Sequence, residues 1–483
     1  MSGGGRAVSA SRAFSLGLCA GSVYFAGTLY WLVETMQQHG GLPLPVGVAV
    51  AALLVAYLSI YPGLFAVLVA GSVRRFGVPG LWLAPWFWVA SEWLRGSVGP
   101  GFPWVQLGAS QASVLPVIQI ASVVGVYGLS GIVALVSTAA VVIAVSRQRA
   151  MRVAVVGVFV MTTGIMVWGA WRMSRGDLLN AGAPYRVGLV QGSIAQAQKW
   201  DPRFSQDIMT GYLSLSREVI AAGAELVIWP EASTPFPFEA DASIANAIRD
   251  LASMTGTPFI IGSDQIVAAT PESPERYYNA AVLVEGDGQA RQWYRKMRLA
   301  PFGEYVPLKL LLFFVGPLVE KVSDFTAGTE AVVFDAEGRR ISVAICYESI
   351  YSELAQRFVA NGSSLLATIT NDAWFGQTSA PYQHFEQGAV RAVEQGRFVV
   401  RAANTGISGA VDPYGRVVAS TPLFEPAALT VDVRLLTGRT IYSRVGDVVV
   451  WGALATTAWL LFQMFTDRRR PRAAGARRSL PTE

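Results

Sequence analysis

Long apolar runs flank a polar, turn-punctuated middle in this chain. Uncharged runs cover 13–33, 35–73, 76–91, 121–146, 153–171 and 448–466. A helix needs about 20 apolar residues to cross the hydrocarbon core of a bilayer. Five runs meet that length, and 76–91 reaches it by continuing through Ser91, Glu92, Trp93 and Leu94 to Arg95. Six spans are expected, five of them before residue 176. The competing reading, buried core helices of a large soluble protein, fits badly, because such runs rarely reach this length without a charge.

From about 176 to 440 the pattern changes. Strand-like runs at 185–190, 225–229, 259–262 and 365–370 alternate with helical periodicity at 204–222, 242–253, 352–360 and 383–397. Three hairpins are marked by their turns: 280–285 with 289–294 around Gly286-Asp287-Gly288, 331–334 with 340–346, and 409–411 with 416–420 around Asp412-Pro413-Tyr414-Gly415. Alternation of this kind predicts a layered α/β domain. The expected organisation is a transmembrane bundle of five helices over 1–175, an α/β domain over 176–440, a last membrane helix over 441–467 and a basic tail over 468–483. Between the spans, 96–118 carries no charge, and Gly99-Pro100-Gly101-Phe102-Pro103-Trp104 excludes a regular helix. An outward loop dipping into the interface is expected, with Trp82, Trp86, Trp88, Trp93 and Trp104 at headgroup level.

Charge placement orients the spans. Only 15% of the 483 residues are charged, against roughly 25% in soluble domains. Arg6 and Arg12 precede the first span, Arg74 and Arg75 follow the second, and Arg147, Arg149 and Arg152 follow the fourth. Arg468, Arg469, Arg470, Arg472, Arg477 and Arg478 lie in the tail, whereas the loop 37–43 has no Lys or Arg. Basic loops stay cytoplasmic, so both termini are expected inside and 176–440 outside. The net charge of +5 reflects these anchors and gives no nucleic-acid footprint. The first apolar run, about 21 residues, exceeds the h-region of a cleavable signal. Ionisable residues of the spans, Glu34, Glu92 and Arg95, sit at span ends, which offers little to a transporter. Glu92 and Arg95 are spaced to pair on one helix face or to meet a headgroup. Two histidines and two cysteines are too few for a metal cluster, and no phosphate-binding glycine loop is present. No cofactor is implied.

The candidate chemistry lies in the middle. Cys346 ends the apolar run 341–345 and is followed by Tyr347 and Glu348. A lone cysteine on such a strand is ordinarily core, but its companions point elsewhere. Glu231 follows Trp229-Pro230 at the end of another apolar strand, where desolvation is expected to raise its pKa and improve it as a base. Lys296, in Tyr294-Arg295-Lys296, offers an ammonium for a thiolate or an oxyanion, and Glu304 could orient it. His39 and His384 stand in no recognisable triad motif. A thiol, a carboxylate and an ammonium suffice for acyl transfer without histidine.

Taken in order, Trp229-Pro230-Glu231, Arg295-Lys296-x-x-Leu299-x-Pro301-Phe302-Gly303-Glu304 and Cys346-Tyr347-Glu348 resemble the nitrilase superfamily, which implies an αββα sandwich with a Glu-Lys-Cys catalytic unit. Combined with the spans, the chain is similar to the bacterial apolipoprotein N-acyltransferases. Gly101-Phe102-Pro103-Trp104, Val190-Gln191-Gly192, Lys199-Trp200-Asp201, Asn371-Asp372-Ala373-Trp374-Phe375-Gly376 and Asn404-Thr405-Gly406-Ile407 extend the likeness over 14–466. The resemblance implies Glu231 as general base, Lys296 as electrostatic stabiliser and Cys346 as nucleophile, with Trp200, Glu304, Tyr347 and Glu348 in support. It implies a ping-pong reaction in the bacterial inner membrane, with the domain facing the periplasm. An acyl chain would pass from a phospholipid, phosphatidylethanolamine by family habit, through a Cys346 thioester to the N-terminal amine of a diacylglyceryl-cysteine lipoprotein. The family usually carries two further helices before what resembles this chain's first span. The residues alone also admit a membrane-tethered amidase acting on a small molecule, for which six spans are more than a tether requires. Residues 310–315 and 375–381 are apolar enough to act as lids over acyl chains.

Overall fold

The computed structural model describes residues 8–99, 101–239, 242–271, 274–301, 303–305 and 325–469. The helical part opens with α1 (Ala10–Thr28) and α2 (Trp31–Gln38), joined at a 52° bend. It continues with α3 (Leu44–Phe76), α4 (Ala84–Ser97), α5 (Ala121–Val145) and α6 (Arg149–Arg175). Four helices of the described residues are long and apolar enough to cross a membrane, or five if the bent pair counts as one span. The apolar surface of these helices points outward. Only 6% of the apolar window in Arg149–Asn180 is buried, which excludes the soluble-core reading for that helix.

Small residues set the closest helix contact. A Cβ at Gly17 would lie 2.3 Å from the Pro62 carbonyl, and one at Gly63 would lie 2.7 Å from the Phe14 ring. Helices in lipid gain stability from such close backbone approach.

The run 76–95 departs from the single continuous span expected. It splits into a 3-10 turn, Val78–Leu83, and the 14 residues of α4. Pro79 and Pro85 sit where the two pieces begin, and proline is tolerated in a helix's first turn but not in its interior. Alone, α4 rises about 21 Å, short of the roughly 30 Å core. Residues 101–114 form a loop with a 3-10 turn at Leu107–Gln111, followed by a single helical turn, Leu115–Ile118. Trp104 differs from the headgroup anchor expected: it is 2% exposed and packed inside the protein. Glu92 and Arg95 do face each other, at 4.0 Å.

Among the described residues, twelve strands form two six-stranded sheets. The first runs β12 (Ala427–Leu435), β1 (Ala183–Gln191), β2 (Leu226–Ile228), β3 (Phe259–Val267), β4 (Arg276–Val284), β5 (Ala290–Arg295). The second runs β11 (Val417–Ser420), β10 (Gly409–Val411), β9 (Val399–Ala403), β8 (Leu365–Thr370), β7 (Arg339–Ile345), β6 (Val333–Ala336). Strand alternation splits the apolar side chains between two cores. Val187, Leu189, Ile228 and Ile260 face Val343, Ile345 and Ile369 between the sheets. Val190, Val227, Trp229 and Ile261 face outward under α7 (Ser205–Ala221) and α8 (Ala242–Thr255). With α9 (Ser352–Ala360) and α10 (Ala380–Gln395) beside the second sheet, the layers are α, β, β, α. Strands β9 and β12 were not anticipated. Arg401 interrupts the apolar run of β9, and β12 alternates Thr430, Val431, Asp432, Val433 and Arg434 at the edge of its sheet.

The chain returns to the helical part through α11 (Val448–Arg469). The seat between the parts lies at α10 and α5. Backbone at Gly125, φ +69°, breaks the start of α5 and leaves the Val126 N–H to Glu394 Oε1 at 2.7 Å. A Cβ at Gly125 would meet the Tyr442 ring at 2.4 Å.

Candidate active site

Parallel strand ends gather the candidate residues, as open α/β sheets generally do. In β7 and β8 Ile345 pairs with Ile369, so Cys346 and Thr370 leave the sheet side by side. Cys346 adopts φ +51° and starts a 3-10 turn, Cys346–Ile350. Glu348 makes that turn. Its carboxylate accepts the N–H groups of Ile345 (2.8 Å), Met297 (2.7 Å) and Arg298 (3.0 Å) and the Tyr294 hydroxyl (2.8 Å). It therefore ties the turn of one sheet to the end of β5 in the other, next to Lys296. Burial raises the Glu348 pKa to about 7, against the pull of these donors.

Lys296 is 1% exposed and lies between two carboxylates, 3.2 Å from Glu231 Oε1 and 2.9 Å from Glu304 Oε1. The amide of Asn279 donates to both carboxylates at 2.7 Å. Glu231 Oε2 accepts from Asn371 N at 2.9 Å, and Glu304 Oε2 from Ala300 N at 2.7 Å. Burial alone would raise the Glu231 pKa, but Lys296, Asn279, Lys199 and the Asn371 N–H together hold it below the ordinary value. The raised pKa expected from desolvation is thus reversed by an ion pair the sequence could not reveal. Lys296 is burdened by burial yet held well above its usual value by the two carboxylates, so it stays an ammonium.

Cys346 is partly exposed. Burial and the Glu231 charge push its thiol pKa well up, and Lys296 only partly offsets them. The resting group is a thiol, and a base must take its proton as it attacks. Glu231 and Lys296 both lie within electrostatic reach of that sulfur.

Tyr347 points the other way, into the membrane-side loop. Its ring stacks on Trp104 at 6.3 Å and approaches Phe102 at 6.4 Å. Arg95 holds that loop by donating to the carbonyls of Phe102 (2.9 Å) and Trp104 (2.7 Å). Trp200 stays 46% exposed, its ring 5.8 Å from the Lys199 ammonium. Its neighbour Lys199 turns inward instead, with Nζ 3.2 Å from the Glu231 carbonyl. Burial lowers the Lys199 pKa to about 8, against Glu231, Asp264 and Cys346. Lys199, Asp264, Asn279 and Asn371 escaped sequence reasoning as site residues, although two of them lie in motifs already singled out. His384, which stands in no recognisable triad motif, has an acidic partner in the fold: Nδ1 is 3.0 Å from Asp372 Oδ1. Of the candidate lids, 310–315 lies outside the described residues, and Phe375 of the second packs on Trp31 at 5.0 Å.

Residues 186–442 match the carbon-nitrogen hydrolase family, and residues 4–139 match the apolipoprotein N-acyltransferase N-terminal domain. An apolipoprotein N-acyltransferase of Geobacter metallireducens is 40% identical over 92% of this chain and 86% of its own length. The chain belongs to the apolipoprotein N-acyltransferase family. A second member, from Methylococcus capsulatus, is 34% identical over 96% of this chain and 89% of its own. An amidase from Nesterenkonia sp. of known structure aligns with 57% of this chain and 97% of its own at 21% identity, with a TM-score of 0.41. As in the sequence reading, an N-acyltransferase helical part and a carbon-nitrogen hydrolase part share one chain, and the Trp104–Tyr347 stack joins them beside Cys346.

Proposed function

We propose that this chain transfers a fatty acyl group from a membrane phospholipid to the N-terminal amine of a diacylglyceryl-cysteine lipoprotein, through a thioester on Cys346. The observation that carries the reading is the ammonium of Lys296, clamped between Glu231 and Glu304 within electrostatic reach of Cys346, whose neighbour Tyr347 stacks on Trp104 of the loop. In the first half, Glu231 accepts the thiol proton as Sγ attacks the ester carbonyl of the donor. Lys296 faces the developing oxyanion and stabilises it. Collapse of the intermediate expels the lyso-phospholipid oxygen, which takes the proton from Glu231. In the second half, the lipoprotein amine attacks the thioester and gives a proton to Glu231, the C–S bond breaks as the amide forms, and Glu231 returns that proton to the leaving sulfur, restoring the thiol. Both substrates are membrane-anchored, so their encounter is confined to two dimensions. Phosphatidylethanolamine, acylated at sn-1, is the donor proposed.

Glu304 and Glu348 hold Lys296 and the nucleophile turn, Tyr347 meets the membrane loop, and Trp200 stands at the rim. The organisation that suits this chemistry is a bundle over 1–175, an outward-facing domain over 176–440, a last span over 441–467 and a cytoplasmic tail, with the domain in the periplasm and both termini in the cytoplasm. In this arrangement 76–95 crosses the membrane as the joined 3-10 turn and α4, whose combined rise is roughly 33 Å if collinear.

Incubation with phospholipid and no acceptor should leave an acyl adduct on Cys346, seen by intact-mass and peptide mass spectrometry. Cys346→Ala should form no adduct and transfer nothing while remaining inserted and folded. Transfer by Cys346→Ala, or an adduct on another residue, would refute the proposal. Turnover of a small amide without lipid would favour the tethered amidase.

A further inference from the structure

His384 is fully buried in α10 and contacts the backbone of the nucleophile. Its Nε2 lies 3.0 Å from the Cys346 carbonyl oxygen and 3.0 Å from Ser349 Oγ. A carbonyl oxygen only accepts, so Nε2 carries the proton. On the other side, Nδ1 lies 3.0 Å from Asp372 Oδ1 and 3.0 Å from Arg401 Nη2. A neutral ring accepts there from Arg401 and a charged ring donates to Asp372, and in both states Nε2–H remains on the Cys346 carbonyl. Arg401 in turn donates to Asp372 Oδ2 at 2.6 Å. Its Nε and Nη1 are buried without a partner, so its bonds among the described residues go to Asp372 and His384. Such incomplete pairing of a buried cation is costly. Thr370 Oγ1 donates to Asp372 Oδ1 at 2.8 Å.

The ring is wedged between Trp104, at 5.4 Å, and Phe375, at 6.0 Å. Cys346 needs such support, because φ +51° is strained for a residue with a side chain. We infer that His384 is a positioning residue for the acyl transfer proposed above: its Nε2–H pins the Cys346 carbonyl, and thereby the left-handed backbone that aims Sγ at Glu231 and Lys296, while Asp372 and Arg401 fix the ring. It is not the base, since its proton-bearing nitrogen addresses the carbonyl.

The test is single-turnover acylation of Cys346 in the full-length protein, followed by intact mass against phospholipid concentration in detergent. His384→Phe keeps a ring between Trp104 and Phe375 but has no N–H. Its limiting rate should fall about 100-fold, as misplacement of a reacting group by about 1 Å does, with the half-saturating concentration unchanged. His384→Gln, which can donate an amide N–H, should stay within about tenfold of wild type. A folded His384→Phe at the wild-type rate, or a folded His384→Gln that falls as far as His384→Phe, overturns the inference. If His384→Phe does not fold, His384→Gln alone decides by the same margins. Iodoacetamide labelling of Cys346 separates this inference from the reading it rests on. A wild type that labels but never acylates removes the acyl-transfer reading. The labelling rate of His384→Phe, expected to differ about tenfold from wild type as the sulfur leaves its place beside Glu231 and Lys296, then decides the positioning role, and a rate equal to wild type overturns it.

Discussion

A second buried ammonium stands near the thiol. Among the described residues, Lys199 differs from Lys296 in having a carbonyl as its one hydrogen-bond partner instead of two carboxylates. Its pKa is lowered to about 8, chiefly by burial, so it is charged below that value and neutral above it. Its charge favours a thiolate on Cys346. The acylation rate should therefore decline from about pH 7 to about pH 9 as that proton leaves. Lys199→Met should be slower at neutral pH by about fivefold, or about 1 kcal/mol, and should lose this decline; a decline that persists in the variant would assign it to another group. Cys346, Glu231, Lys296 and Glu304 were legible because each sits in a short motif and their order along the chain is distinctive. Asn279 and Lys199 were not, because their meaning comes from strands that meet only in the folded sheet. The pKa direction of Glu231 was misread for the same reason: desolvation is visible in Trp229-Pro230-Glu231, but the opposing Lys296 lies 65 residues away.

At the scale of elements, the loop 101–107 is held from both ends of one ion pair. Arg95 donates to two of its carbonyls, and Glu92 Oε1 accepts from Leu107 N at 2.7 Å. Arg95→Met should strand a buried carboxylate and release the loop. The expected loss is about 3–5 kcal/mol, read as a lower unfolding temperature in detergent together with lost acylation. Unchanged stability would mean that the loop is held by its aromatic contacts alone. The pairing of Glu92 with Arg95 was readable from their spacing, but its purpose was not, since the loop it grips has no regular pattern. Helices and strands with strong periodicity were likewise readable, including Ser352–Ala360 and Leu365–Thr370. Strand β9 was hidden by Arg401, whose charge is tolerated in a buried strand only because Asp372 meets it at 2.6 Å.

For the whole molecule, stability depends on how the α/β part is seated on the helices. Glu394 lies at that seat, accepting Val126 N at 2.7 Å and facing Arg391 Nε at 3.0 Å. Burial raises its pKa from 4.5 to about 7. The folded state thus holds this proton more tightly than the unfolded chain. The stabilisation is fully present below about pH 4.5 and is lost as pH rises through about 7, amounting to at most about 3 kcal/mol. Unfolding temperatures should fall over that window in the wild type and fall less in Glu394→Gln; parallel curves would exclude Glu394 as the cause. The two-part architecture was visible in the sequence, because charge is absent from the runs and frequent between them. The seat was not, because it depends on a backbone break at Gly125 that composition does not announce.

The protonated state of Cys346 at rest has a further consequence. Peroxides and foreign disulfides consume thiolates far faster than thiols. An idle molecule facing an oxidising environment would thus keep its sulfur intact, becoming vulnerable only when a donor arrives to be attacked. Hydrogen peroxide should inactivate the resting protein more slowly than it oxidises free cysteine at the same pH, and equal rates would show that the sulfur is not sheltered in this way.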